Sequence, residues 1–380
     1  MTAQALHDAC SCLELSPDLP LASGTALCLE RALLEQLVET TQSIGGVLAG
    51  LTGAAPEVHA AGLFNSFDYH LSAEGPRLIE INTNAGGAFL QQALLEDARG
   101  AAARVCGAIE PRPFHAPAGM ILAAWAALRP GRTLSSVAIV DVAPESEPLY
   151  RDMLAAVDAL RLVGLEARVS GIGSLRLEDG RLVDAHGPVE LVYNRCTDFL
   201  LAAPGSAVLR QAWETGAAVV APNPDVYRAY ADKRLLLRLA AERCALRPGL
   251  EGVLPTVEVT AGAAEELWRE RRGLVFKPFS GFGSRGVLLG AKISRRRFDA
   301  LADAGYIAQA YAPPLMRLVR VGSETARVKA DIRVWTHGYT PWYAAARLYR
   351  GQVSGMRQPG EGFAPIVWLD SDAQGARCSA

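Results

Sequence analysis

Arg77-Leu78-Ile79-Glu80-Ile81-Asn82 is an isoleucine-rich run interrupted by two polar side chains two positions apart. Successive side chains of a strand point to opposite faces, so Glu80 and Asn82 share one face. Upstream, Gly62 to Leu71 reads as a second strand, and Ala73-Glu74-Gly75-Pro76 as the turn joining the two. The hairpin can bring Asp68 onto the face of Glu80 and Asn82. Three oxygen donors without His or Cys suit a hard cation such as magnesium, with phosphates and water completing its shell. A solvated acidic edge is the competing reading, but such an edge does not call for an isoleucine-rich strand.

Outward from the hairpin, Leu27 to Leu48 has apolar residues at helical spacing and is expected to be a helix. With the turn residues Thr83 to Gly87 these elements fill a first stretch, 1–115. The second stretch, 116–220, looks like a small α/β unit: strands at Val137–Val142, Ala167–Val169 and Leu191–Arg195, a helix from Tyr150 to Val163, and a hairpin around Asp179-Gly180. Strands alternating with helices favour a parallel sheet, whose ligands sit beyond the carboxyl ends of its strands. Asp141 would lie there, as would Asn194 and Arg195. The third stretch, 221–315, runs from Asn223-Pro224 through a helix carrying Asp232-Lys233 to the strand Leu274–Pro278 and a glycine-rich loop. The last, 316–380, holds strands around Asp331–Trp335 and Trp342–Tyr349 and a loop over Gly351–Ala364. The fold class is α/β, with about two or three domains at roughly 100–200 residues each.

Ser280, Gly281, Gly283, Ser284 and Gly286 leave little side-chain bulk, so backbone amides can approach an anion closely. Lys277, at the end of the preceding strand, adds a fixed positive charge. The loop matches neither the Walker A pattern nor the dinucleotide fingerprint, and an ordinary hairpin loop is the alternative. Arg333 and Arg347 each place a charge in a largely apolar strand, which demands a carboxylate or phosphate partner. An Asp331–Arg333 salt bridge competes with a phosphate role for Arg333. Arg347 has no acid close in sequence, which favours phosphate. For Arg195, at a strand end, an ion pair to Asp198 competes with a role on a ligand.

The 380 residues are half hydrophobic and about a fifth charged, with a formal net charge of −2. That composition is globular and carries no basic footprint for nucleic acid. Arg295-Arg296-Arg297 reads as a solvated helix face. No apolar run reaches the roughly 20 residues of a membrane helix, and no export signal opens the chain. Seven scattered cysteines, including Cys10 and Cys12, fit no standard zinc spacing and suggest a reducing, cytoplasmic location. A homodimer stays open.

Taken together, these motifs resemble the ATP-grasp family. Lys277-Pro278 and the Ser/Gly loop look like its phosphate-covering loop. Asn223-Pro224 followed by Asp232-Lys233 looks like the segment of its first ATP-binding lysine. Ala308-Gln309-Ala310-Tyr311 looks like its adenine hinge, with Ala310 where an acid is usual. Asp68 and Glu80-Ile81-Asn82-Thr83-Asn84 look like its metal signature, which here comes early in the chain, so the order looks circularly permuted with the α/β unit inserted. The N-terminal hairpin would then pack against the strands of Asp331 to Tyr349. The resemblance implies ATP and Mg2+ as cofactors and a carboxylate–amine ligase for small-molecule or peptide substrates. Lys233, Lys277, Ser280, Gly281, Gly283, Ser284, Gly286, Gln309, Ala310, Tyr311 and Asp331 would bind the nucleotide. Asp68, Glu80 and Asn82 would bind the metal. Arg347, Lys277 and Arg333 would act in catalysis, and Arg195, Asn194 and Arg357 on substrate. The loop from Gln352 to Gly362 is a lid or a plain connection. A phosphotransferase and a non-catalytic nucleotide-binding protein are the alternatives.

Overall fold

The computed structural model describes residues 21–105, 116–245, 249–281, 285–321, 324–351, 358 and 360–369. Gly283, Ser284, Arg357 and the N-terminal Cys10 and Cys12 lie outside them, as do 352–357 of the expected lid.

A seven-stranded sheet dominates. Its order is Leu27–Glu30, Gly362–Leu369, Thr340–Tyr349, Glu324–His337, Asn65–Ser72 and Gly75–Asn82, and Leu315–Val321 also pairs with Glu324–His337. The N-terminal hairpin therefore lies beside strands that follow it by some 250 residues, as in Arg333 opposite Asp68. Along Glu324–His337 the period of two separates two environments. Val328, Ala330, Ile332 and Val334 enter the main core, while Lys329, Asp331 and Arg333 face the other way and line a cavity.

Leu27–Glu30 corrects the expected helix. The helix begins at Arg31 and runs to Thr52, and the four residues before it pair in parallel with Ile366–Leu369. Leu27 and Leu29 are buried in the main core by that pairing. An apolar pattern of four residues cannot distinguish strand from helix when the partner is far away in sequence. The upstream strand of the hairpin also starts later than expected, at Asn65, after Phe64 takes φ 50°.

A four-stranded parallel sheet follows in the order Val219–Ala221, Leu191–Asn194, Ser136–Asp141 and Glu166–Gly171. Both faces are covered. Val137 and Ile139 join the main core, and Ala138 and Val140 a second one. A small antiparallel sheet orders Thr256–Glu258, Tyr306–Ala310, Leu274–Pro278 and Leu288–Leu289 over a third core around Phe276 and Phe298. Among the described residues no helix is long and apolar enough to cross a membrane.

Candidate active site

A cavity of about 600 Å³ lies between the three sheets. The large sheet contributes Glu80, Asn82, Lys329, Asp331, Arg333 and Arg347. The small sheet contributes Lys277, Gln309 and Ala310, and the end of the parallel sheet contributes Arg195.

Strand pairing sets the charged floor. Asp68 is opposite both Glu80 and Arg333, and Asp331 is opposite Arg347, so all five share one face. Asp68 is fully buried and binds Arg333 through both oxygens, Nε to Oδ1 and Nη2 to Oδ2, each at 2.8 Å. Arg347 reaches Asp68 at 2.8 Å and Asp331 at 2.7 and 3.0 Å. Burial alone would raise the pKa of Asp68, but Arg333 and Arg347 override it and hold the carboxyl well below its usual range. The alternative Asp331–Arg333 pair is not formed. Residues two apart on one strand point side by side, and each instead meets its partner across the ladder.

The floor meets the small sheet through a β-bulge. Asp68 pairs with Glu80 and Tyr69 with Leu78, leaving Ile79 as the extra residue. Its carbonyl accepts a hydrogen bond from Lys277 Nζ, which also donates to Gln309 Oε1 at 2.8 Å. Burial pushes the Lys277 pKa down to about 8; Glu80 and Asp68 oppose the shift, and Lys233 adds to it. Lys233 is also buried. Its Nζ lies 3.4 Å from Glu80 and donates to Gly281 O at 3.0 Å.

Asp232 and Lys233 sit in a break between the helices Pro224–Tyr230 and Arg234–Cys244, not within one helix as expected. Asp232 accepts from the Arg234 amide at 2.8 Å, fixing the start of the second helix beside Lys233.

At the far end Arg195 Nη1 donates to Asn84 O at 2.8 Å, Asn84 Oδ1 at 2.6 Å and Tyr193 OH at 3.3 Å. The alternative ion pair with Asp198 is not formed. That carboxylate instead accepts from the amides of Ala202 and Ala203 and from Ser206 Oγ.

No protein-family profile matches the sequence, and no curated protein matches it. Solved structures do. A glutathione synthetase-like effector from Globodera pallida superposes with TM-score 0.58 at 12% identity, covering 96% of each chain. This chain has an ATP-grasp-type fold. A putative gamma-glutamylcysteine synthetase from Methylobacillus flagellatus is also similar, at TM-score 0.45 and 12% identity over 90% of this chain and 89% of that one. A third similar structure is the ATP-grasp ligase PsnB complexed with minimal precursor, Mg and ADP, at TM-score 0.33 and 14% identity over 60% of this chain and 88% of that one.

Against this ATP-grasp frame the residues fall into three groups, of which two hold the expected site residues. Glu80, Asn82, Asn84, Arg195, Lys277, Gln309, Ala310, Tyr311, Asp331, Arg333 and Arg347 all line the cavity. Others stand back from it. Asp68 is not in the wall, and both its oxygens are engaged by guanidinium groups. Asn194 is buried and donates to Pro222 O at 3.1 Å. Ser280, Gly281 and Gly286 are exposed. The hinge expectation needs correction in one detail. The Ala310 amide already donates to Pro255 O and the Tyr311 amide to Gly273 O, both at 2.8 Å, so neither donor is left for adenine. The third group is the wall residues not singled out from the sequence, among them His70, Lys329 and Ala312. His70 Nδ1 lies 2.6 Å from Ala312 O and ties the large sheet to the hinge. The period of two could have found Lys329, two before Asp331, and His70, two after Asp68.

Proposed function

We propose that the chain is an ATP-dependent ligase that joins a carboxylate to an amine, releasing ADP and phosphate. The observation that carries this is the wall of one cavity. Buried Lys277 lines it, and buried Lys233 stands behind it 3.4 Å from Glu80, against a sheet that presents a carboxylate, an amide and a guanidinium in adjacent rows.

The donor set fits a magnesium nucleotide. Glu80 keeps 23% of its side chain exposed at the cavity. Asn82 donates through Nδ2 to Asp68 at 3.1 Å, which leaves its Oδ1 for a cation. Among the described residues no three His, Cys, Asp or Glu side chains form a metal cluster. Magnesium takes one or two protein carboxylates and draws the rest of its shell from phosphates and water. Asp68 would join the shell only if Arg333 or Arg347 gave up an oxygen.

ATP would supply the phosphoryl group, and magnesium would neutralise its charge. Lys277 and Lys233 would bind phosphate oxygens, with Gln309 orienting Lys277. Arg347, held rigid by Asp331 and Asp68, would steady the transferring group with its remaining donors. A substrate carboxylate oxygen would attack the γ-phosphorus as ADP leaves. The amine would then attack the acyl carbon, phosphate would leave, and the amine proton would pass to solvent. The dry, charge-balanced floor would limit loss of the activated acid to water.

The test is incubation with ATP, magnesium and pooled acids, amino acids and polyamines, with products read by mass. Ligation predicts ADP and phosphate in equal amounts together with a product lighter than its two components by one water. A stable phosphorylated product in its place would contradict the proposal.

A further inference from the structure

The cavity wall beside the hinge segment has few polar groups to spare. The amides of Ala310 and Tyr311 are taken by Pro255 O and Gly273 O, and the Ala310 side chain is a methyl group. Gln309 accepts from Lys277 and donates to Leu78 O. Both ring nitrogens of His70 are engaged, Nδ1 with Ala312 O and Nε2 with the Tyr349 hydroxyl at 3.3 Å. Among the described wall side chains at this end, Lys329 and Tyr311 keep polar groups unused.

Lys329 stands in the next row of the floor beyond Asp331. It lies opposite Tyr349 on one neighbouring strand and Met316 on the other, just past the hinge. Arg333, Asp331 and Lys329 share one face of their strand, which puts Lys329 about 13 Å from Arg333 along it. Its Nζ donates to Gly351 O, which uses one of three hydrogens. The ammonium lies 5.7 Å from the Tyr349 ring centre. Burial lowers its pKa and the neighbouring Lys292 adds to the shift. Among the described residues no carboxylate pairs with it. Two donors are therefore left at the cavity wall, and no acid claims them.

We infer that Lys329 binds a ribose hydroxyl oxygen of the nucleotide and so selects a ribonucleotide over a deoxyribonucleotide. This rests on the ligase reading, which puts the phosphates on Lys233, Lys277 and Arg347. With the reacting phosphate beside Arg347, a nucleotide running toward the hinge brings its sugar, not its phosphates, to the row of Lys329. An ammonium donates and cannot accept, so its partner is an oxygen lone pair, which a sugar hydroxyl supplies. A ligand without that hydroxyl leaves the donor unpaired at the wall. Such a loss discriminates more strongly than a change in size. Gly351 O and the Tyr349 ring, itself pinned by His70, hold the ammonium in place before the ligand arrives.

Calorimetry with ADP, 2′-deoxy-ADP and 3′-deoxy-ADP, each with magnesium, tests this on the wild type, Lys329→Met, Lys329→Gln and Tyr311→Phe. The wild type is expected to bind at least one deoxynucleotide about tenfold or more weakly than ADP. Lys329→Met and Lys329→Gln should bind all three within about twofold of one another, while Tyr311→Phe keeps the wild-type ratio. The inference is overturned if the wild type binds the three alike, if a Lys329 variant keeps the wild-type ratio, or if Tyr311→Phe erases it. A Lys329 variant that weakens all three equally also overturns it, because the lysine then serves a phosphate. Failure of the wild type to bind Mg–ADP would instead bring down the ligase reading. Lys329 is partly exposed and its removal breaks no ion pair, so its variants should fold. Should Lys329→Met misfold, Lys329→Gln alone decides the point.

Discussion

The two ends of the cavity treat arginine in opposite ways. At the sheet floor, Arg333 and Arg347 are saturated by Asp68 and Asp331, and two positive charges meet two negative ones in a space with almost no solvent. At the end of the parallel sheet, Arg195 is braced by neutral oxygens and keeps one edge unpaired. The first arrangement makes a rigid, neutral platform whose charges are fixed before any ligand arrives. A buried ion pair is costly to break because the surviving charge is stranded, whereas removal of Arg195 strands no opposite charge.

The comparison breaks most visibly in stability. Asp68→Asn strands Arg333 and leaves Arg347 with Asp331 alone, and is expected to cost about 3–5 kcal/mol. Arg195→Gln gives up the Nη1 hydrogen bonds to neutral oxygens but strands no opposite charge, and should cost less, about 1–3 kcal/mol. Urea titration of the two variants checks this, and equal losses would erase the distinction. Glu80→Gln comes next. Its side chain is partly exposed but pairs with the buried Lys233, so stability should fall by less than for Asp68→Asn, while ATP turnover falls about 100-fold, the loss of roughly 2.7 kcal/mol of charge stabilisation. An unchanged rate would remove Glu80 from the metal site.

A smaller effect tests the lysine between the two sheets. Burial lowers the Lys277 pKa to about 8, so its charge is lost as pH rises through that value. Nucleotide affinity should weaken about tenfold between pH 7 and pH 9, because nine in ten of these lysines would then be neutral. Stability should move the other way and rise between about pH 8 and 10.5, because the unfolded chain still binds the proton there and the folded chain does not. Calorimetry across pH on the wild type and Lys277→Arg separates this lysine from other groups. The smallest effect belongs to Gly86→Ala. The added Cβ meets only the ends of Arg195 and Leu149, which can yield, so stability should change by less than about 1 kcal/mol. Substrate KM should rise several-fold while Mg–ADP binding is unaffected.

Much of the floor was legible because period-two alternation is local. Glu80 with Asn82, and Asp331 with Arg333, follow from their strands alone. The partners did not follow, because pairing is set by register between strands far apart in sequence. Hence Arg347, with no acid nearby in the chain, proves to be paired with two. The Ile79 bulge was hidden for the same reason, since an extra residue is visible only against the opposing strand. Leu27–Glu30 fits a helical pattern in sequence because its strand partner comes at the far end of the chain. The hinge motif showed where a strand ends, but not that Pro255 and Gly273 take its amide hydrogens. Arg195 was legible as a strand-end cation, and its unpaired edge became visible only once Asp198 was seen bound to its own loop.

The most direct test of the whole site is calorimetry of ADP binding with and without magnesium, on the wild type and Glu80→Gln. The account predicts binding by the wild type that weakens sharply when magnesium is withheld, and a Glu80→Gln variant that behaves with magnesium as the wild type does without it. Wild-type binding indifferent to magnesium, or a Glu80→Gln variant with the full magnesium response, would contradict it.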